Sequence, residues 1–350
     1  MSNYLARAFP LLASRLGHMS LADLPTPVSS GLVSTGSKRH AISIKHDDVT
    51  GAAYGGNKLR KLEYILQHAR NKGAQRVATF GTVGSNHAVA TALYATHAGF
   101  ECTCFLSHQS PKPGLDNALR YHLQIGTEIV RYGGNRAARI KTMRKYAQGR
   151  NTWVVPLGGS SWLGAVGYVN AGLELAAQIA AGELPHPARA YVATGTMGTT
   201  AGLALGLALS GLDIETQAIR VTEKMYANES GLQRLMSKTA AMLHTIDPAI
   251  PADLASQARL KLRDEFFGTG YGHTNDATER AIERARDELG LSLESTYTGK
   301  AMAGLLHDVG SGFDKPVLFW NTFNSRPIEL DTNLEPDYDR LPKEFARYFD

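Results

Sequence analysis

The chain predicts an α/β fold with mainly parallel sheets, organised as two domains. Three observations carry this. From Ala41 onward, short β-branched or aromatic runs alternate with alanine-rich helical patterns, as expected where helices cross between parallel strands. The 350 residues are more than twice the usual length of one domain, so two cores, or one with a large insertion, are expected. The composition, 43% apolar, 20% charged and 8% aromatic, supports a large interior and excludes a disordered or collagen-like chain.

In chain order, strands are expected at 41–45, 76–80, 102–106, 128–132, 152–156, 190–194, 218–222 and 317–320. Helices are expected between them at 59–71, 87–98, 115–123, 136–148, 164–181, 200–210, 229–243, 277–288 and 299–309. The first helix shows the logic. Leu59, Leu62, Ile65, Leu66 and Ala69 recur at three- and four-residue steps, so that stripe should pack. Arg60, Lys61, Glu63 and Arg70 fall elsewhere and should stay wet. Residues 182–187 (Gly-Glu-Leu-Pro-His-Pro) and 247–250, with Pro248 and the adjacent Pro251, are breaker clusters and read as loops. The stretch 266–275 has three glycines and no helical period. No repeat or low-complexity segment interrupts the chain.

The net charge is +5 and is spread along the chain, which gives no reason to expect nucleic acid and suits small anions such as phosphates and carboxylates. Cys102 and Cys104, the only cysteines, lie on one face of a strand. They read as buried thiols in a reducing compartment, since two ligands cannot close a tetrahedral metal site. No apolar run approaches a membrane span, and the first ten residues lack a signal-peptide core. A cytoplasmic protein is expected. The motifs of zinc hydrolases, Gly-x-Ser-x-Gly serine hydrolases, P-loops and dinucleotide-binding turns are all missing.

Three polar clusters remain, each where a loop feeds a helix. In Tyr54-Gly55-Gly56-Asn57-Lys58, the glycines permit a tight approach, and Lys58 opens a helix whose dipole, with Arg60 and Lys61 nearby, disfavours an ammonium charge. A lysine so placed gives up its proton easily, as an imine-forming lysine must; taken alone, a surface ion-paired lysine is the simpler reading. In Gly81-Thr82-Val83-Gly84-Ser85-Asn86-His87, free helix N–H groups and the side chains of Ser85 or Asn86 can hold an anion such as a carboxylate. A plain N-cap explains the same residues. His87 reads as a structural or pocket-wall histidine, because no second metal ligand is spaced to join it. In Gly195-Thr196-Met197-Gly198-Thr199-Thr200, converging amides and hydroxyls form a nest for a phosphate. A structural turn would explain the glycines but not the threonines.

A lysine, a phosphate cradle and a carboxylate cradle in one α/β chain point to pyridoxal phosphate acting on an amino acid. The motifs then become specific. Gly-Gly-Asn-Lys-x-Arg-Lys-Leu-Glu, Ser-Asn-His, Gly158-Gly159-Ser160 followed by Leu163-Gly164-Ala165, Gly-Thr-x-Gly-Thr, and Tyr-Thr-Gly-Lys-Ala-Met-Ala-Gly from Tyr297 occur in this order between Leu24 and Thr322. In these the chain resembles the D-cysteine desulfhydrase / 1-aminocyclopropane-1-carboxylate deaminase family.

The resemblance implies the tryptophan synthase β-like fold (PLP fold type II), with two three-layer α/β domains and mainly parallel sheets. It implies a large domain of residues 1–58 and 162–350, a small domain of 59–161, and a homodimer. Pyridoxal 5'-phosphate would be bonded to Lys58, which would also move protons at the substrate α-carbon. Asn86 would bond the cofactor's ring hydroxyl, Ser85 the substrate carboxylate, and Gly195, Thr196, Met197, Gly198 and Thr199 the phosphate. Tyr271 and Tyr297 would line the substrate side, with His87, Trp162 and Phe323 at the same pocket, and Thr322 would face the pyridine nitrogen. No metal is implied.

Thr298 stands where deaminase-type relatives carry glutamate and desulfhydrase-type relatives carry threonine. It favours α,β-elimination from a small amino acid, giving pyruvate, ammonia and the β-group. Gly84, Val89, Ser161-Trp162, Met197 and Phe323-Asn324 depart from the family pattern near the expected pocket, so the substrate can differ from D-cysteine. The alternatives are deamination of a cyclopropane amino acid, another conversion on the same cofactor, and binding of the cofactor without turnover.

Overall fold

The computed structural model describes residues 3–110, 114–147 and 151–349. Its strands are β1 (Val28–Thr35), β2 (Lys38–His46), β3 (Arg76–Thr82), β4 (Glu101–Ser107), β5 (Glu128–Arg131), β6 (Thr152–Val154), β7 (Arg189–Thr194), β8 (Glu215–Arg220), β9 (Leu260–Arg263) and β10 (Val317–Asn321). They form a six-stranded sheet in the order β1-β2-β10-β7-β8-β9 and a four-stranded sheet in the order β5-β4-β3-β6. Every neighbouring pair is parallel except the β1–β2 hairpin. The helices are α1 (Tyr4–Ala8), α2 (Pro10–Arg15), α3 (Lys58–Asn71), α4 (Asn86–His97), α5 (Leu115–Gln124), α6 (Arg136–Ala147), α7 (Trp162–Ala180), α8 (Gly198–Leu209), α9 (Glu229–Ile246), α10 (Leu254–Gln257), α11 (Asp276–Leu289) and α12 (Thr298–Gly310).

All eight expected strands are present, and the nine expected helices begin and end within a few residues of their expected limits; Gln148, the expected end of α6, lies outside the described residues. The strands not foreseen are both at sheet edges. In β1 the run Val-Ser-Ser-Gly-Leu-Val-Ser-Thr is too polar to look like a core strand, yet it pairs along its length with β2. The two-residue turn that joins them has Gly36 at φ +60°, the local signal that could have revealed it.

Period-two alternation places helices on both faces of each sheet. In the large sheet Tyr191, Val317 and Phe319 pack with α11 and α12, while Ala190, Val192, Leu318 and Trp320 face α7 and α8. In the small sheet Phe80 and Phe105 meet α6, while Val77, Cys102 and Cys104 face the side of α4 and α5. Both cysteines are free and buried on that one face. Helices α7 and α8 approach until their backbones touch: a Cβ on Gly172 would lie 2.5 Å from the Gly206 carbonyl carbon, and one on Gly202 would lie 2.2 Å from the Ala165 oxygen. This contact fixes where α8 begins.

Helix α3 corrects one expectation. Its apolar stripe is buried, but Arg60, Lys61 and Glu63 are buried as well, at 0%, 2% and 4% exposure. Only amphipathicity is visible in the sequence, and α3 is enclosed on more than one side. Each charge is met. Arg60 donates to Asp47 and Glu174, Lys61 donates to the Gly158 carbonyl at 3.1 Å, and Glu63 accepts from the Leu21 and Ala22 amides at 3.0 Å. Lys45, Tyr168 and Trp320 complete the network around Asp47 and Glu174, which ties the start of α3 to β2, α7 and β10.

Candidate active site

The carboxyl ends of parallel strands are where α/β folds bind ligands, and a cavity of about 1320 Å³, counting its mouth, opens there. Thr82, Ser107, Tyr132, Thr194, Thr222 and Thr322 line it. Each ends a strand or follows it closely.

Lys58 is the first residue of α3 and reaches into the cavity. Its Nζ donates to Asn57 Oδ1 at 2.6 Å, and Asn57 Nδ2 donates to Thr199 Oγ1 at 3.0 Å. Burial lowers the Lys58 pKa to about 8, against the opposing pull of Glu294. The loop before it is braced from β10: the Asn57 amide donates to the Thr322 carbonyl and the Gly55 amide to Asn324 Oδ1. Asn324, a departure from the family pattern, thus holds the lysine loop.

Ser85 is the N-cap of α4, and its Oγ accepts from the Ala88 amide at 3.3 Å. The N-cap and the anion site are therefore one place, with Ser85 and Asn86 both lining the cavity. Asn86 Oδ1 accepts from the Tyr54 hydroxyl at 2.9 Å, which leaves the amide Nδ2 available as a donor. His87 also lines the cavity, but its Nε2 meets Thr79 Oγ1 at 2.8 Å and its Nδ1 lies 3.4 Å from Thr91 Oγ1. Burial, with Lys58 and Lys61 close by, holds it well below the usual histidine range and so neutral.

The turn from β7 into α8 supplies Gly195, Thr196, Met197 and Thr199 to the cavity. Gly198 stands just behind them, its amide on Ser160 Oγ and the Thr196 carbonyl. Met197 has φ +71°, a left-handed conformation that costs a side chain about 1–2 kcal/mol. Lys61 Nζ sits 3.2 Å from the position a Gly198 Cβ would take. Burial and the neighbouring Lys58 hold the Lys61 pKa well below the usual lysine value, and Lys61 has no carboxylate partner among the described residues. With a helix N-terminus and the Thr196 and Thr199 hydroxyls, and with Ser160 behind them on the Gly198 amide, it makes a donor set suited to a phosphate. Lys61 and Ser160 escaped notice because their role depends on three separate segments meeting.

Tyr271 and Tyr297 face the cavity with their hydroxyls hydrogen-bonded to each other. Burial, together with Tyr271, pushes the Tyr297 phenol far up. Thr322 and Phe323 line the opposite edge. One expectation is corrected. Trp162 is not a lining residue: it is the first residue of α7, just after the Ser161 N-cap, and packs on the main apolar core. Thr298, which the resemblance used to favour elimination, is outside the cavity lining. Its Oγ1 is 3.3 Å from Glu294 Oε1, whose carboxylate accepts the 296, 297 and 298 amides and caps α12.

These features define the class: an α/β enzyme site with a reactive lysine and a phosphate cradle. The chain belongs to the family described as pyridoxal-phosphate dependent enzyme, whose model matches residues 19–322, and it has PLP fold type II. It is 35% identical over 320 residues to D-cysteine desulfhydrase of Salmonella choleraesuis (strain SC-B67), covering 88% of this chain and 94% of that one. A solved structure described as an ACC deaminase homologue superposes with a TM-score of 0.75 at 29% identity, covering 93% of this chain and 95% of the other. A pyridoxal 5'-phosphate-dependent aspartate racemase shares the fold at a TM-score of 0.61 and 17% identity.

One prediction tests the cradle. A Cβ on Gly158, at φ +64°, would lie 2.1 Å from Thr196 Oγ1. Gly158→Ala must push Thr196 off the turn, and the strain of about 1–2 kcal/mol should weaken pyridoxal phosphate binding by about tenfold, read by titrating the apoprotein.

Proposed function

We propose that this enzyme is a D-cysteine desulfhydrase-like lyase that catalyses α,β-elimination on a small amino acid, releasing pyruvate, ammonia and the β-group. The observation that carries the reading is that Lys58, the β7–α8 turn and the start of α4 face one cavity. Bound there, pyridoxal phosphate supplies the electron sink that labilises the bonds at the substrate's α-carbon. The residues supply the rest. Lys58 holds the cofactor and moves the proton at the α-carbon, and its lowered pKa keeps the amine available near neutrality. Gly195 to Thr199, with Lys61, hold the phosphate. Asn86, through Nδ2, and Thr322 would hold the cofactor ring, and Ser85 with the α4 amides would bind the substrate carboxylate. Tyr271, Tyr297 and Phe323 would line the substrate side.

We assign residues 1–58 and 162–350 to a large cofactor-binding domain and 59–161 to a small one; the grouping of β3 to β6 in their own sheet supports this. A homodimer and a cytoplasmic location complete the reading. The first rests on the family resemblance and the second on the two free, buried thiols. Among the described residues no helix is long and apolar enough to cross a membrane.

The test is keto-acid release from D- and L-cysteine, D-serine, β-chloroalanine and 1-aminocyclopropane-1-carboxylate. Pyruvate from the β-substituted amino acids is expected. Release of 2-oxobutyrate from the cyclopropane acid alone would replace elimination by deamination, and no turnover of any compound would leave a binding protein.

A further inference from the structure

The cavity carries a basic side chain that neither the cofactor nor a substrate α-carboxylate uses in the reading above. Three basic side chains line it, Lys58, Lys61 and Arg139; burial lowers the pKa of Lys58 to about 8 and holds that of Lys61 well below the usual lysine value. Lys58 and Lys61 serve the cofactor in the reading above. Arg139 comes from α6, on the far wall, with Ser107, Tyr132 and Gly134. Among the described residues it has no ion-pair partner. Glu223 is the one carboxylate among the residues that line the cavity; it is exposed and acts electrostatically on Tyr271, whereas Arg139 acts on Tyr132.

The neighbourhood of Arg139 is built of neutral donors. Ser107, Tyr132 and Tyr226, the last from the segment after β8, line the cavity with it, and the Ser107 hydroxyl donates to the Gly81 carbonyl at 3.4 Å. A guanidinium fork amid three hydroxyls is a receptor for a tetrahedral oxyanion. Its position suits a substrate bound at α4. The strand order β5-β4-β3 puts the loop after β5 two strands from the start of α4, roughly 10 Å at the usual strand spacing. A short amino acid and an arginine side chain together span that distance.

We propose that Arg139 binds an oxyanion carried on the substrate's β-carbon, so that this enzyme acts on small amino acids with a β-sulfonate or β-phosphate group. This rests on the lyase reading and narrows its substrate class. In the reaction the Cα–H and Cβ–X bonds break. The proton passes to Lys58, X leaves with the bonding pair as sulfite or phosphate, and water converts the released enamine into pyruvate and ammonia. No external oxidant or reductant is needed.

The test uses the holoenzyme with both enantiomers of cysteate, of O-phosphoserine and of β-chloroalanine, the last as the neutral reference. In Arg139→Gln the ratio of kcat/KM for the anionic substrate to that for β-chloroalanine should fall about 10- to 100-fold, chiefly through KM, and Arg139→Lys should recover part of it. The cysteate and O-phosphoserine arms tell sulfonate from phosphate. An unchanged ratio, or turnover of β-chloroalanine with neither anionic compound accepted, overturns the proposal. If no compound releases pyruvate, the lyase reading fails by itself. Arg139 is then judged by binding: cysteate or O-phosphoserine should shift the coenzyme absorption of the wild type and not of Arg139→Gln, and equal shifts, or none, overturn it.

Discussion

Lys58→Ala should reduce pyruvate release by at least about 10³-fold and abolish the yellow colour of the lysine-bound coenzyme. The reason is positional. Lys61 lies one turn further along the same face of α3, is buried, and already donates to the Gly158 carbonyl beside the α8 N-terminus. It is tied to the phosphate end of the site and cannot reach the place that Lys58 leaves. Mass spectrometry after borohydride reduction checks this: an adduct on Lys61 in the variant would show that the attachment had been read wrongly. The wild-type apoprotein offers a second readout. With the Lys58 pKa lowered to about 8 by burial, the rate of covalent capture of the coenzyme should rise with pH to a midpoint near that value. An unperturbed lysine would give a midpoint near about 10.4.

Glu174→Ala should destabilise the fold by about 3–5 kcal/mol, the usual cost of leaving buried charge unpaired. Glu174 is fully buried, and its carboxylate is shared by Lys45 and Arg60, which are also fully buried. Burial alone would raise the Glu174 pKa, but Arg60 and Lys45 override it and hold the carboxyl down at about 2. The folded-state pKa is thus below the unfolded one, near about 4.3. The stabilisation is complete above that value and is lost as pH falls toward 2, an effect on the order of 2–3 kcal/mol. Urea midpoints measured from pH 6 down to pH 2.5 should fall steeply for the wild type and less steeply for the variant. Equal slopes would remove Glu174 from the acid response. Because Arg60 is two residues past Lys58, the variant should also bind the coenzyme more weakly.

Much of the molecule was legible in the chain. The strand and helix pattern needed only local periodicity, and β1 and β9 were missed because edge strands carry little apolar signal. The lysine loop, the α4 start and the β7–α8 turn were visible because glycines and short polar residues mark sites where backbone amides must be exposed. Trp162 and Thr298 went the other way. Trp162 looked like a pocket residue from its neighbours in sequence, and both are turned elsewhere by the start of a helix, one onto the apolar core and the other onto the Glu294 cap.

What the sequence determined by itself was the α/β architecture, the family, and the three segments that face one cavity, since each is written in consecutive residues. Only the tertiary structure decided that Lys61 reaches the cavity with Ser160 behind the β7–α8 turn, that Asn324 braces the lysine loop, that the charged face of α3 is buried, and that Arg139 lines the same cavity. Those facts depend on side chains from different segments arriving at one point, and on whether water remains there. Spacing along a chain does not encode that proximity; it follows from how the sheets and helices pack.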